Sequence, residues 1–235
     1  MKARISSQLT IPPIHLSPRI SWDSDSLQSS PNIEATQHRF QKLKLCFARI
    51  DLLCQLAKAV QQHRGATMAF LGGEGSFEAL IESLQARIET LLHLLQSMEQ
   101  SPDAMNGFQA IDHIGHDWQT ILRGWNSDQI MHNFEFHSHL VASVRRLLLP
   151  ALNQQLAALA SAAQIIPQTR AESFYPLIFD TIESLAMLRG LSTNAAVISS
   201  CGADSHTRLE YLLKLIPQMN ESLQTALQSF SQQFQ

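Results

Sequence analysis

The chain has 235 residues, with 17 Lys and Arg against 20 Asp and Glu and a formal net charge of -3, and a chain of this length forms one large domain or two small ones. Near charge balance excludes a basic nucleic-acid surface and a polybasic membrane patch. Hydrophobic residues at 45% are enough for a full core, and Gly 9 and Pro 9 are too few for a β-sandwich or barrel that turns every 8–12 residues or so.

Residues 1–34 hold Pro12, Pro13, Pro18 and Pro31 and show no helical period. They read as an extended or partly disordered arm, with Trp22 and the apolar Ile11 and Ile14 suited to lie on a body. From about residue 35 the apolar spacing becomes three or four: Phe40, Leu43, Leu45, Cys46, Ile50, Leu53, Leu56, Ala57 and Val60. That stripe predicts a helix over about 35–71, about 50 Å long. Ser76 is expected to cap a second helix with Phe77, Leu80, Ile81, Leu84, Ile88, Leu91 and Leu95 inward, ending near Ser101-Pro102. A third covers about 108–124, with Gly124 placed as a C-terminal cap.

Ser127-Asp128 starts a fourth helix to about 165, which Pro150 should kink or divide and Pro167 should stop. A fifth runs from about 171 to 200, with Pro176 tolerated in its first turn and Cys201-Gly202 at its end. Ser205 opens a sixth, with Pro217 a second kink site. Six helices, no strand and short connections predict an all-α, antiparallel up-and-down helical bundle over residues 35–235. The long helices can serve one tall bundle or be shared by two four-helix bundles.

Cys46, Cys54 and Cys201 are an odd count without CxxC spacing, so they read as buried free thiols of a reducing compartment rather than a disulfide framework or zinc site. No apolar core of a signal peptide follows Lys2 and Arg4. The most apolar stretch, Leu147 to Ile166, is broken by Pro150, Asn153, Gln154, Gln155 and Gln164, so no membrane span is expected. A cytoplasmic protein is the reading.

Two segments resemble each other: His63-Arg64-Gly65-Ala66-Thr67 and Leu188-Arg189-Gly190-Leu191-Ser192. In each, a hydroxyl residue lies three places after the Arg, on the same helix face, within an otherwise apolar stretch. The glycines, costly inside a helix, allow close approach of a helix or ligand. Arginines in such surroundings stay charged. No acid lies within four residues of Arg64, and the nearest to Arg189 is Glu183, six residues earlier and off its face. Either a small planar oxyanion bridges the two guanidinium forks, with Gln61, Thr67, Ser192 and Thr193 as further donors, or the arginines snorkel to solvent or meet carboxylates from other helices.

The run Leu56 to Gly72 around His63-Arg64-Gly65 resembles the opening motif of the nitrate- and nitrite-sensing (NIT) domain family. Ile182-Glu183-Ser184-Leu185-Ala186-Met187-Leu188-Arg189-Gly190 resembles its second motif, a Glu, a small residue and then an Arg. The likeness covers about residues 38–232. It implies an all-helical domain in which one Arg of each motif, here Arg64 and Arg189, binds nitrate or nitrite between helices. The residue before each Arg, often Glu in that family, is His63 and Leu188 here. Family members usually carry a fused output module. Here the sixth helix ends the chain, so a protein partner is expected to supply the output, with direct nucleic-acid binding excluded and a homodimer left open.

His113 and His116, and His132, His137 and His139 with Glu135, lack the Glu-x-x-His repeats of bundle metal sites. They read as solvated or capping residues. Arg123-Gly124 reads as a cation at a helix C-terminus. With no phosphate loop, catalytic triad or zinc motif, neither an enzyme nor a metal or cofactor site is expected. Two readings stand: a small-oxyanion sensor, and a helical protein–protein adaptor whose two arginines form internal salt bridges. They separate on whether Arg64 and Arg189 face each other without a carboxylate.

Overall fold

The computed structural model describes residues 31–99, 108–163 and 168–231. They form six α-helices, α1 (Pro31–Leu71), α2 (Glu78–Glu99), α3 (Phe108–Gly124), α4 (Ile130–Ala163), α5 (Gln168–Val197) and α6 (Ala203–Ser231), with a 3-10 turn at Gly75–Phe77. No strand occurs among the described residues, so the protein is all-α. Of the arm expected over residues 1–34, residues 1–30 lie outside the described residues, as does the stop at Pro167, while residues 31–34 are the first turn of α1. The chain divides into two units, residues 1–39 and 40–235. The second unit holds the three apolar clusters and every cross-helix contact described below.

The helix boundaries follow local chemistry, with departures from the sequence expectation. α1 begins at Pro31, a residue whose missing N–H costs nothing in a first turn. It ends where Gly73 takes a φ of 109°, and the Gly73 N–H reaches back to the Phe70 carbonyl at 2.9 Å. The cap of the next turn is Glu74, not Ser76: its carboxylate accepts from the Ser76 N–H at 3.3 Å. Gly124 is the last residue of α3 rather than a left-handed cap. α5 stops at Val197, before Ser199 at φ 52°, ahead of the expected Cys201-Gly202. None of the internal prolines divides a helix. Pro150 and Pro217 lie inside α4 and α6, and Pro176 lies inside α5 beyond its first turn.

Two apolar clusters share α1 and α4. The larger joins Leu53, Leu56 and Val60 of α1, Ile88 and Leu95 of α2, Ile111, Ile114 and Trp118 of α3, and Leu140, Val144 and Leu148 of α4. The smaller joins Met68 of α1, Phe134 of α4, Leu191 of α5 and Leu212 of α6. Cross-helix bonds give the directions. His63 and Thr67 meet His137 and Asn133 in descending order, so α1 and α4 are antiparallel. Gln61 meets Glu183, and Gly72 lies against Asn194 and Val197, so α1 and α5 are parallel.

The apolar stripe of α1 is not buried along its whole length. Phe40, Leu45 and Phe47 are exposed, as is Leu80 on α2, and the core begins at Ile50. The thiols also depart from expectation: Cys54 and Cys201 are exposed and Cys46 is half-buried.

The glycines of the two Arg-Gly segments lie at the α1–α5 crossing, but neither is required by it. A Cβ on Gly65 would meet nothing within 4 Å, and one on Gly190 would touch Met68 Sδ at 3.4 Å. The close approach is at Gly72, where a Cβ would lie 3.1 Å from each of Asn194, Val197 and Ile198. Gly65→Ala is therefore expected to raise stability by up to about 1 kcal/mol. Gly72→Ala is expected to lower it by about 1–3 kcal/mol through overpacking. Thermal melts of the two variants check this: shifts of the same sign would contradict the assigned crossing.

Candidate functional site

Arg64 is fully buried, enclosed by the apolar turns of α1 on either side. Its guanidinium cannot shed its charge there. The compensating carboxylate comes from α5: Arg64 Nη1 donates to Glu183 Oε1 at 2.6 Å and also to Ser138 Oγ of α4 at 2.9 Å. Glu183 Oε2 accepts from Gln61 Nε2 at 2.7 Å, so the carboxylate ties two successive turns of α1 to α5. The guanidinium carbon sits 5.1 Å from the Phe134 ring centre, within cation–π range. Arg208 of α6 approaches the same ring at 5.5 Å and pairs with Glu135.

One edge of Arg64 remains. Nε and Nη2 are buried and have no acceptor among the described residues. These two N–H groups form the side fork of the guanidinium, two parallel donors spaced for two oxygens of one planar anion. Leaving buried donors unmade costs about 1–3 kcal/mol each.

Beside the arginine runs a chain of buried imidazoles, and His137, which the sequence pattern reads as solvated or capping, is one of them. His63 and His137 are both fully buried. His137 Nδ1 lies 2.7 Å from the Asn133 carbonyl, so this nitrogen carries the proton and Nε2 accepts. His63 Nδ1, 2.7 Å away, must then donate to that Nε2. His63 Nε2 is left to accept from the Gln85 amide at 3.3 Å. Only neutral rings satisfy the whole chain. Burial pushes His63 down to about 2, aided by the neighbouring His137. Burial also pushes His137 down to about 4; the Arg64 charge lowers it further, and the Asn133 carbonyl and Asp128 act the other way. Trp118 meets His63 edge-on at 5.0 Å, and its Nε1 is buried without an acceptor among the described residues.

The expected site residues separate. Gln61, Arg64 and Thr67 are buried on α1, but Thr67 faces α4, with its hydroxyl 2.8 Å from Asn133 Oδ1 and 2.9 Å from the His63 carbonyl. On α5, Arg189 and Ser192 are exposed and Thr193 is half-buried. The residues of α5 that turn inward are Thr181, Ser184, Gly190, Leu191 and Asn194, and Arg189, five places after Ser184, lies off that stripe. In the second segment it is Gly190, not the arginine, that meets α1. The two guanidiniums thus do not share one buried environment, and the carboxylate absent from the sequence around Arg64 is supplied by Glu183.

Sequence reasoning misses Ser138, Asn133, His63 and His137 as members of the site. The one available signal is His63 itself, a titratable residue inside the apolar run before Arg64. Among the described residues no three His, Cys, Asp or Glu cluster as metal ligands. No helix there is long and apolar enough to cross a membrane.

The imidazole pair sets a pH dependence. Unfolded, each ring takes a proton below about pH 6.5; folded, both stay neutral well below that. Their contribution is fully present above pH 6.5 and is lost as pH falls. The loss approaches about 2.7 kcal/mol per pH unit for two rings between about pH 6 and pH 4. Urea unfolding across this range should show that slope, and His137→Gln should reduce it by about half. An unchanged slope in His137→Gln would mean that His137 takes up its proton in the fold as it does unfolded.

Comparison with protein-family models, with curated proteins and with solved structures gives no match.

Proposed function

We propose that the chain is a receptor for a small planar oxyanion, nitrate or nitrite, held at the Nε–Nη2 edge of Arg64. The observation that carries this is the buried fork of two N–H donors without an acceptor among the described residues. A trigonal oxyanion presents two coplanar oxygens at the spacing of that fork, which a spherical anion cannot do. The reading keeps the likeness to the nitrate- and nitrite-sensing family and changes its detail: one guanidinium holds the anion, and Arg189 lies outside the pocket.

Signalling follows from sharing. Arg64 is already neutralised by Glu183, so a second anion on the same guanidinium repels that carboxylate in a medium of low dielectric. The tie from α5 to Arg64 and Gln61 weakens, and α5 shifts against α1. A protein partner reading that shift, in the cytoplasm and in the service of transcription control, supplies the output. Neither catalysis nor a cofactor enters.

The adaptor reading draws support from the Arg64–Glu183 pair at 2.6 Å, which by itself neutralises the buried charge. Arg189 has no ion pair among the described residues, so only one of its two expected salt bridges forms.

Nitrate has four heavy atoms, and a ceiling of about -1.5 kcal/mol per atom sets the tightest dissociation constant at some tens of micromolar. At about 100 times that, the fold gains about 2.7 kcal/mol, or roughly 5–10 °C in melting temperature. Sodium chloride at equal ionic strength is expected to give a much smaller rise. Arg64→Lys should abolish the nitrate-specific part, since Lys is a point charge without a fork. Glu183→Gln should destabilise the free protein by about 3–5 kcal/mol and yet tighten nitrate binding by removing the competing charge. Equal melting shifts in nitrate, nitrite and chloride would leave only the adaptor.

A further inference from the structure

A groove of about 520 Å³ runs between α1 and α5. Its walls are apolar: Leu148 of α4 and Phe179, Ile182 and Leu185 of α5 stand over Ala57 of α1. Ile182 and Leu185 are 52% and 47% exposed, an uncovering that costs free energy and marks binding surfaces. The only charged residues lining it are cationic, Lys58 and Arg189. Neither has an ion-pair or hydrogen-bond partner among the described residues, and no acid lines the groove. Because α1 and α5 run parallel here, the two ends of the groove are ordered. Arg189 lies toward the α1–α5 crossing, and Phe179, Cys54, Leu148 and Lys58 lie toward the other end. From Phe179 to Arg189 the helix rises about 15 Å.

We infer that this groove binds a free aliphatic carboxylate of medium chain length. Its alkyl chain lies along Leu185, Ile182 and Phe179, and its carboxylate pairs with Arg189. The volume falls within the roughly 300–1,000 Å³ of small-molecule sites. An apolar trough with unpartnered cations and no acid selects an anionic amphiphile over a neutral one. Arg189, which the buried oxyanion site leaves unused, thereby acquires a ligand of its own. The inference does not rest on the Arg64 site: of that network only Gln61 lines the groove, and it is bonded to Glu183 rather than to the free edge of Arg64.

The test is calorimetric titration of the full chain with decanoate below its micelle concentration, with octanoate, decanol and acetate alongside. Decanoate should bind about tenfold more tightly than octanoate, two methylenes shorter. Decanol should bind at least tenfold more weakly than decanoate, and acetate not measurably. Arg189→Gln should weaken decanoate at least tenfold, and Leu185→Asp should abolish it, both with unchanged helicity by circular dichroism. Alkylation of Cys54, located by peptide mass mapping, should slow when decanoate fills the Phe179 end. It is run at alkaline pH because partial burial and Asp51 push that thiol up. Equal affinity for decanol, wild-type affinity in Arg189→Gln, or an unchanged Cys54 rate overturns the proposal. So does a dimer that Leu185→Asp dissociates while decanoate has no effect, which would show a second copy covering the groove.

Discussion

A guanidinium that cannot lose its charge sits at the centre of packed helices, and the surrounding arrangement answers to it. Arg64 draws Glu183 inward from α5, Ser138 from α4 and the Phe134 face from the same helix. Glu183 in turn takes Gln61 as its second partner. The result is a polar crossing between helices that otherwise meet through Met68, Leu188 and Leu191. Buried ion pairs rarely outperform well-packed apolar residues in stability, so a network of this kind chiefly fixes register. Slipping α5 by one residue would turn Glu183 about 100° away from Arg64 and strand the charge.

The imidazole chain extends that constraint to α2 and α4. Each neutral ring has one donor and one acceptor, so the proton position at the Asn133 carbonyl sets every proton up to Gln85. This defines a single hydrogen-bond pattern across three helices beside the arginine. The same stretch of α4 supplies Asn133, Phe134, His137 and Ser138, four side chains that all contact residues 63–67 of α1. Sites built on rigid helical turns hold their geometry better than sites on loops, and here two such stretches face each other antiparallel.

Polar order at the crossing contrasts with the apolar surface elsewhere. Phe40 and Phe47 of α1, Ile182 and Leu185 of α5, and Tyr211 and Leu213 of α6 are all exposed. The larger cluster, by contrast, is closed around Leu53, Leu56, Ile88, Ile111 and Trp118. The groove beside Ile182 and Leu185 has volume and charge of its own.

The all-α class, the number of helices and part of the inner faces of α1 and α2 were legible in the sequence. Helix formation and amphipathic spacing are local properties, and Leu53 and Ile88 each belong to a stripe readable within one segment. Arg64 was legible too, as a charge inside an apolar run. Its partner was not, because Glu183 lies 119 residues away, and no local rule says which of many acids a neighbouring helix will turn inward. The rotation of α5 was equally hidden: two Arg-Gly segments looked equivalent, yet one helix presents its arginine to the interior and the other its glycine. The helical period alone does not choose between adjacent positions 100° apart when both flanks are apolar. The pairing of His63 with His137 needed α1 and α4 to be antiparallel in one register. Only the packed helices decided that these histidines would be buried and neutral, because a buried proton position is set by partners that arrive from other parts of the chain.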